Sequence, residues 1–132
     1  MNDASDSIHV VAAVVRRGER YLVGRRPDDK RHGGLWEFPG GKVHDGEDLL
    51  ATANRELMEE LGMRAVTAGA LLMRAADAGS PFVIHFVEIG AEGEPEAREH
   101  SALGWFTPVE LAALPLAPAD ARFVEMLRDG SA

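Results

Sequence analysis

Residues 41–63 read GKVHDGEDLLATANRELMEELGM, and the spacing of their acidic and apolar side chains is the most informative feature of the chain. Each residue of an α-helix is rotated by about 100° from the one before, so Glu56, Glu59 and Glu60 fall on one face and the leucines on another. Like charges three and four residues apart repel each other, and keeping them together requires a compensating cation. Mg²⁺ is the natural candidate, because carboxylates and substrate phosphates commonly hold this hard ion.

The same segment resembles a complete Nudix box, the signature of hydrolases that act on a nucleoside diphosphate linked to another group. Every fixed position of the pattern is present, from its first glycine through Glu47 to the helical part that starts at Arg55. Residues 36–42, WEFPGGK, and the arginine pair at 25–26 resemble the MutT-type branch of that family. The resemblance covers most of the chain and implies an α/β/α sandwich with a mixed central sheet, whereas periodicity alone indicates only an α/β fold.

The resemblance also implies a metal site. Its ligands would be three helical carboxylates and one backbone carbonyl, namely Glu56, Glu59, Glu60 and the carbonyl of Gly40, with Mn²⁺ as a substitute for Mg²⁺. Arg55 lies one helical turn before Glu59 and would orient the carboxylates. A solvated acidic helix face is the alternative interpretation, but it explains neither the glycine pair nor Glu47 at its fixed offset.

Activation of the attacking water needs a base near the metal, and two carboxylates are candidates. Glu99 occupies the place where MutT-like members carry an additional carboxylate, so it would act as the base or as a transient metal ligand. Its alternative is one more acid in the acidic loop at 91–100. Glu56 is the other candidate base, because it sits beside the metal on the helix.

Substrate contacts are expected on both sides of the WEFPGGK segment. The glycines let the backbone approach a metal or phosphate, so we expect Gly41 and Lys42 at the phosphates. Arg26 is a further phosphate ligand, although arginines beside acids are commonly surface residues. Trp36 and Phe38 alternate along a predicted strand, and Phe38 would line the base pocket or the core.

The base itself would be read near residue 120. MutT-like proteins place an Asn or Asp there, and an ionised Asp120 would accept from the amino group of cytosine, whereas a protonated one could also donate and read an oxidised guanine. Capping of the last helix is the alternative role of Asp120. The five histidines show no paired metal-ligand spacing and are expected to be bystanders; His85 is either a pocket residue or a satisfied sheet histidine.

Composition limits the class of protein. A length of 132 residues predicts a single domain over 1–132, with the polar residues 1–7 as a loose tail of a cytoplasmic protein. No cysteine is present, which excludes disulfides and thiolate chemistry, and no apolar run is long enough to span a membrane. The net charge of −8 argues against polymeric nucleic acid as a partner but allows a nucleotide bound through metal. We expect a monomer or a homodimer.

Apolar and turn residues predict the elements around this segment. The predicted strands are 8–15, 21–23, 65–73, 81–89 and 103–106, and the predicted helices are 48–61, one starting after Thr107, and one from 118 or 119 to 128. The first two strands form a hairpin, and residues 25–34 form an exposed loop.

The sequence therefore supports three functional hypotheses. The leading one is Mg²⁺-dependent hydrolysis of a (deoxy)nucleoside triphosphate to the monophosphate and pyrophosphate, with 8-oxo-dGTP as the first substrate to test. The second keeps the chemistry and changes the substrate to CTP, dCTP or 5-methyl-dCTP. The third is a nucleotide-binding module without activity, which the intact set of acids disfavours.

Overall fold

The structure is a computed structural model that describes residues 7–76 and 79–130. The expected loose tail lies outside the described residues, apart from Ser7. Within these ranges the elements follow in the order β1 (Ile8–Val14), β2 (Arg16–Arg17), β3 (Arg20–Arg25), β4 (Trp36–Glu37), β5 (Gly40–Lys42), α1 (Leu49–Leu61), β6 (Arg64–Ala76), β7 (Phe82–Glu92), β8 (Ala102–Phe106), α2 (Pro108–Ala112) and α3 (Pro118–Arg128).

The larger sheet is mixed, as the sequence predicts. Its strand order is β5-β1-β7-β6, in which β1 and β7 run parallel and the two outer pairs run antiparallel. The parallel pair joins residues far apart in the chain, with Val11 opposite His85. This arrangement puts β5, the strand that carries the two glycines, at one edge of the sheet and next to α1.

A second, smaller sheet is present that the sequence analysis did not anticipate. Strand β3 lies at its centre, with β2 and β4 paired to it and with β8 also antiparallel to it. The predicted turn at Gly18 is present, but the hairpin there joins β2 to β3. The predicted first strand of the hairpin, β1, pairs instead with β5 and β7 of the larger sheet, so that part of the prediction was wrong. In this sheet Gly24 is opposite both Glu37 and Leu103, so the sheet brings β4 and the start of β8 to opposite sides of one glycine.

Helices cover both faces of the larger sheet, because successive side chains of β1 point to opposite sides. On one side Val11 and Ala13 pack with Leu57 and Leu61 of α1. On the other side a second cluster contains Ala12 and Val14 of β1, Phe86 of β7, Leu111 of α2, and Phe123 and Val124 of α3. These two cores establish the α/β/α sandwich.

The helix boundaries follow local signals closely. Helix α1 begins after Asp48, whose side chain accepts from the N–H of Ala51 at 2.8 Å, and it ends at Gly62 with φ 68°. Helix α2 carries a capping box between Thr107 and Glu110. None of the helices in the described part of the chain combines the length and apolarity that crossing a bilayer requires.

Strands β6 and β7 are both longer than their patterns predict. The predicted strands 65–73 and 81–89 extend in the structure to Arg64–Ala76 and Phe82–Glu92. They pair along this length with three register shifts, so the ladder continues through Arg and Ala residues of low strand propensity. Cross-strand hydrogen bonding, which is not a local property, sets these ends.

Candidate active site

A cleft of about 440 Å³ opens where β1, β5, α1 and the loop before β8 meet. Its lining includes every residue predicted as a catalytic, metal-binding or substrate-binding residue except Arg55 and Glu59. These residues are Arg26, Phe38, Gly40, Gly41, Lys42, Glu56, Glu60, Glu99 and Asp120. Residues that are 94 positions apart in sequence, from 26 to 120, therefore face one space.

The three acids of α1 do not face the cleft equally. Glu60 is only 6% exposed and the Glu56 side chain is also largely buried, whereas the Glu59 side chain is 53% exposed. Glu56 and Glu60 are one helical turn apart, but Glu59 and Glu60 differ by about 100° around the helix. Among residues 7–76 and 79–130 no group of three or more acidic or histidine side chains is arranged to hold a metal.

The buried pair of Glu56 and Glu60 favours a proton or a cation between its members. Burial raises the pKa of Glu60 well above its usual range, and the hydrogen bond and negative charge of Glu56 raise this pKa further. Glu37 and Glu99 add smaller contributions in the same direction. A divalent cation would offset this repulsion, and the carboxylate oxygens are the donors that a hard ion takes. The residues present therefore fit such an ion.

Both glycines of β5 leave space that a side chain would fill. A Cβ at Gly41 would collide with the carboxylate of Glu56, and a Cβ at Gly40 would collide with the carbonyl of Val11. Gly40 also has φ 155°, within the region that favours glycine. Glu56 can lie directly against β5 only because Gly41 has no side chain.

Arg55 supports the Glu56 carboxylate from outside the cleft. Its Nη1 contacts Glu56 at 3.0 Å, while Nε and Nη2 bind Glu47 at 2.8 and 3.0 Å, and Nη2 also donates to the Lys42 carbonyl. The expected contact with Glu59 is longer, at 3.8 Å. The Arg55 hydrogen bonds, with those from His44 and Thr52, lower the pKa of Glu47 to about 2.

Two residues that sequence reasoning did not single out complete the inner wall. Glu37 lies between Arg26, whose Nη1 is 3.2 Å from Oε1, and His100, whose Nε2 is 3.0 Å from Oε2. His100 Nε2 is also 3.9 Å from Oε1 of Glu60. Glu37 stands inside the WEFPGGK segment, which was the available signal; for His100 the only signal was its position next to Glu99.

Asp120 is anchored across the fold, not to its own helix end. Its Oδ2 accepts from the backbone N–H of Phe38 at 2.8 Å, and only 8% of the residue is exposed. The N-cap residue of α3 is Ala117, with no side-chain bond there, so Asp120 does not cap the helix; it does lie in the first turn, where the helix dipole favours an acid. Burial raises the pKa of Asp120 to about 7, against the opposing effect of the Phe38 N–H.

Phe38, Phe82 and Ile84 are the largest of the apolar residues that line the cleft. Phe38 is buried, and its ring packs edge-on against Phe86 and Phe123, so it belongs to the core as well as to the cleft lining. Phe82 and Ile84 of β7 also line the cleft, although the sequence analysis did not select them. Phe82 and Ile84 are two positions apart on β7 and so point to the same face, which was the signal in the sequence that could have identified them.

His85 does not reach this cleft. Its Nε2 is 3.0 Å from Nδ1 of His9, and the pair borders a separate depression beside the loop at 43–47. Burial, with the charges of His9 and Arg74, lowers the pKa of His85. Of the two roles left open for this residue, the satisfied sheet histidine agrees with these contacts.

The sequence of this chain is similar to those of known proteins over most of its length. The sequence model of the NUDIX domain matches residues 7–127. The chain is 40% identical over 121 residues to the CTP pyrophosphohydrolase of Escherichia coli (strain K12), covering 89% of each protein. It is 32% identical over 124 residues to the 8-oxo-dGTP diphosphatase of Haemophilus influenzae, covering 91% of this chain and 90% of that protein.

A solved structure agrees with these matches. The crystal structure of a MutT NUDIX hydrolase from Burkholderia pseudomallei aligns with a TM-score of 0.77 at 32% identity, covering 90% of this chain and 96% of that one. The sequence matches and the structural match therefore cover nearly the same part of the chain.

Proposed function

This chain belongs to the NUDIX domain family and is a Nudix hydrolase, and on that premise we propose that it cleaves a (deoxy)nucleoside triphosphate to the monophosphate and pyrophosphate with Mg²⁺. The observation that carries the proposal is the distribution of charge in the cleft. A buried acid pair, Glu56 and Glu60, faces a space that Arg26 and Lys42 also line. A triphosphate with a bound cation matches this lining, because the cation pairs with the acids and the phosphates pair with the basic side chains.

Glu56, Glu60 and the Gly40 carbonyl would hold the ion. Glu99, which lines the cleft, and Glu59, which does not, are further candidate ligands. When bound, the ion neutralises charge on the phosphate oxygens and makes the phosphorus a better electrophile. Arg26 and Lys42 would bind the phosphate chain and fix its direction in the cleft.

Proton transfer from water needs a carboxylate that is free to accept. Glu56 is already engaged by Arg55, whose Nη1 lies 3.0 Å from its Oε2. Glu99 is exposed at the rim and faces the cleft, so we favour it as the base and keep Glu56 as the alternative. Water oxygen attacks phosphorus, its proton goes to the carboxylate, and the phosphoanhydride bond breaks to release pyrophosphate.

Oxidised guanine is the base that we favour, with 8-oxo-dGTP as substrate. One oxygen of Asp120 is occupied by the Phe38 N–H, and the pKa of about 7 keeps both the protonated and the ionised carboxyl populated near neutral pH. Such a group donates and accepts, which suits a base with both functions on its edge. The name of the Haemophilus influenzae relative supports this choice.

A cytidine nucleotide is the second candidate. The ionised form of Asp120 would accept from the amino group of cytosine. The relative that supports this alternative, the Escherichia coli CTP pyrophosphohydrolase, matches at 40% identity over 89% of the chain. CTP, dCTP and 5-methyl-dCTP therefore belong in the same substrate panel.

Pyrophosphate release with Mg²⁺ from 8-oxo-dGTP, dGTP, CTP, dCTP and 5-methyl-dCTP tests the proposal, with the nucleoside monophosphate product identified by chromatography. Glu60→Gln should lower turnover on the order of 100-fold, because it removes one of the two buried carboxylates that would hold the ion. The matched control is Glu92→Gln, an exposed glutamate paired with Arg64 outside the cleft, which should keep full activity.

Two results would contradict the proposal: orthophosphate as the product, or equal turnover in Glu60→Gln and wild type. Binding of a nucleotide without any release would support the non-catalytic module instead. Faster turnover of the cytidine nucleotides would reverse the order of the two substrates. The single domain over 1–132, the cytoplasmic location and the monomer or homodimer stay predictions.

A further inference from the structure

His100 occupies the inner wall of the cleft, directly after Glu99 and before β8. It is buried, with Nε2 3.0 Å from Oε2 of Glu37 and 3.9 Å from Oε1 of Glu60. One imidazole therefore lies between a carboxylate of β4 and a carboxylate of α1. The proposed chemistry uses the second carboxylate and leaves the histidine without a role.

The backbone of β3 makes room for this ring. A Cβ at Gly24 would stand 2.6 Å from both Cγ and Cδ2 of His100, closer than real side chains approach. Gly24 is opposite Glu37 on one neighbouring strand and opposite Leu103 on the other. The imidazole thus packs against a glycine, and the same sheet that carries Gly24 brings Glu37 to its Nε2.

The hydrogen bonds of the ring indicate its tautomer. Within the described residues the buried Nδ1 of His100 has no hydrogen-bond partner. A buried N–H without an acceptor is costly, so the neutral ring carries its proton on Nε2 and donates it to Glu37. The orientation of the imidazole is then set by a hydrogen bond on one side and by packing on Gly24 on the other.

Glu37 is itself fixed from a second direction. Nη1 of Arg26 lies 3.2 and 3.4 Å from its two carboxylate oxygens. Arg26, Glu37 and His100 are therefore joined by hydrogen bonds, and the ring of His100 approaches Glu60 at 3.9 Å, a packing contact beyond hydrogen-bond distance. Each member restricts the next, so the position of His100 does not depend on a single bond.

We propose that His100 is a positioning residue: its ring, fixed by Glu37 and Gly24, packs 3.9 Å from the Glu60 carboxylate and limits the rotation of this carboxylate away from Glu56 and the divalent cation. The inference rests on the proposed function, because it takes Glu60 as a metal ligand. Two adjacent carboxylates repel, and a side chain that limits their rotation lowers the cost of ordering them when the ion binds. His100 contacts neither substrate nor ion in this role.

Direct binding of Mn²⁺ to the nucleotide-free enzyme, followed by electron paramagnetic resonance, tests the role without turnover. His100→Leu should raise the Kd for Mn²⁺ by about 10–100-fold, the range that partners of metal ligands typically control. His100→Gln keeps an N–H near the place of Nε2 and should recover most of the affinity. The Mg²⁺ concentration for half-maximal turnover should rise with the Mn²⁺ Kd, while KM for the nucleotide stays unchanged.

The matched control is His85→Leu, a second buried histidine that lies outside the cleft. It should lose stability without losing Mn²⁺ affinity. If His100→Leu does not fold, Glu37→Leu removes the acceptor of the same hydrogen bond and should raise the Kd in the same way. In the metal-free wild type, ¹⁵N chemical shifts should show the proton of His100 on Nε2.

The proposal is overturned if His100→Gln is as impaired as His100→Leu, if His85→Leu weakens Mn²⁺ binding equally, or if the proton resides on Nδ1. Failure of the proposed function has a different signature. In that case the wild type binds Mn²⁺ and releases pyrophosphate from no nucleotide, while the comparison of Kd values still decides the role of His100.

Discussion

Arg55 shows what a single side chain contributes to the acid-rich cleft. Its planar guanidinium binds both oxygens of Glu47 through Nε and Nη2, and its remaining nitrogen holds Glu56. A lysine has one charged atom and could not make these contacts together. Arg55 therefore ties the loop before α1 to the helix and orients Glu56 before any cation binds.

The fold raises the pKa of Asp120 into the neutral range. Its carboxyl is buried, and this burial raises its pKa from 3.8 to about 7. A raised carboxyl pKa means that the folded protein binds more protons than the unfolded chain between these two values. The stability contributed by this group is present below pH 4 and is lost as the pH rises towards 7.

Replacing Asp120 by asparagine should remove this pH dependence, because an amide does not titrate. Between pH 4 and pH 8 the free energy of unfolding of the wild type should fall relative to Asp120→Asn by roughly 4 kcal/mol. Urea unfolding at several pH values measures the difference. Asp29→Asn, an exposed loop substitution, serves as the control. A constant gap between wild type and Asp120→Asn would show that the carboxyl is ionised throughout.

At the scale of elements, α1 contributes one face to the hydrophobic core and another to the cleft. Its inner face packs Leu57 and Leu61 into the core, and an adjacent face presents Glu56 and Glu60 to the cleft. The caps at Asp48 and Gly62 are local, so the predicted helix 48–61 agrees with the observed Leu49–Leu61. The ends of β6 and β7 depend on pairing between the two strands, and the strands predicted from the sequence were therefore too short.

The packing of α1 predicts unequal effects for neighbouring substitutions. Leu57 is fully buried, so Leu57→Ala should lower the free energy of unfolding by about 2–5 kcal/mol. Met58, the next residue, is 43% exposed, and Met58→Ala should change the free energy of unfolding by about 0.5 kcal/mol. Chemical denaturation at one pH compares the two variants. Similar losses for both would mean that α1 does not bury the face described here.

At the scale of the whole molecule, an acidic protein presents acids in a cleft that is proposed to bind an anion. The net charge is −8, and Glu37, Glu56, Glu60 and Glu99 line the same space. Three basic lining residues, Arg26, Lys30 and Lys42, stand against these four acids and Asp120. Binding of a divalent cation changes the local sign, which is why the ion should stabilise the fold as well as assist the reaction.

Mg²⁺ should therefore raise the stability of the folded chain. At a concentration 100 times its Kd, an ion that binds only the native state adds about 2.7 kcal/mol to the free energy of unfolding. Thermal unfolding with Mg²⁺ and with a chelator measures this effect, and NaCl at equal ionic strength controls for screening. Glu60→Gln should respond less than the wild type. An equal response to NaCl would indicate general screening instead of a site.

The sequence by itself determined the family, the mixed α/β fold, the boundaries of α1 and the residues of the box. These depend on spacing within a few turns of helix, where Glu56 and Glu60 are neighbours whatever the rest of the chain does. The tertiary structure alone decided which side chains share the cleft. Glu37 and His100 share the cleft with Glu60 only because β3, β4 and β8 form a second sheet, and Asp120 joins them only because α3 packs on Phe38. Contacts between such distant segments leave no local pattern in the sequence.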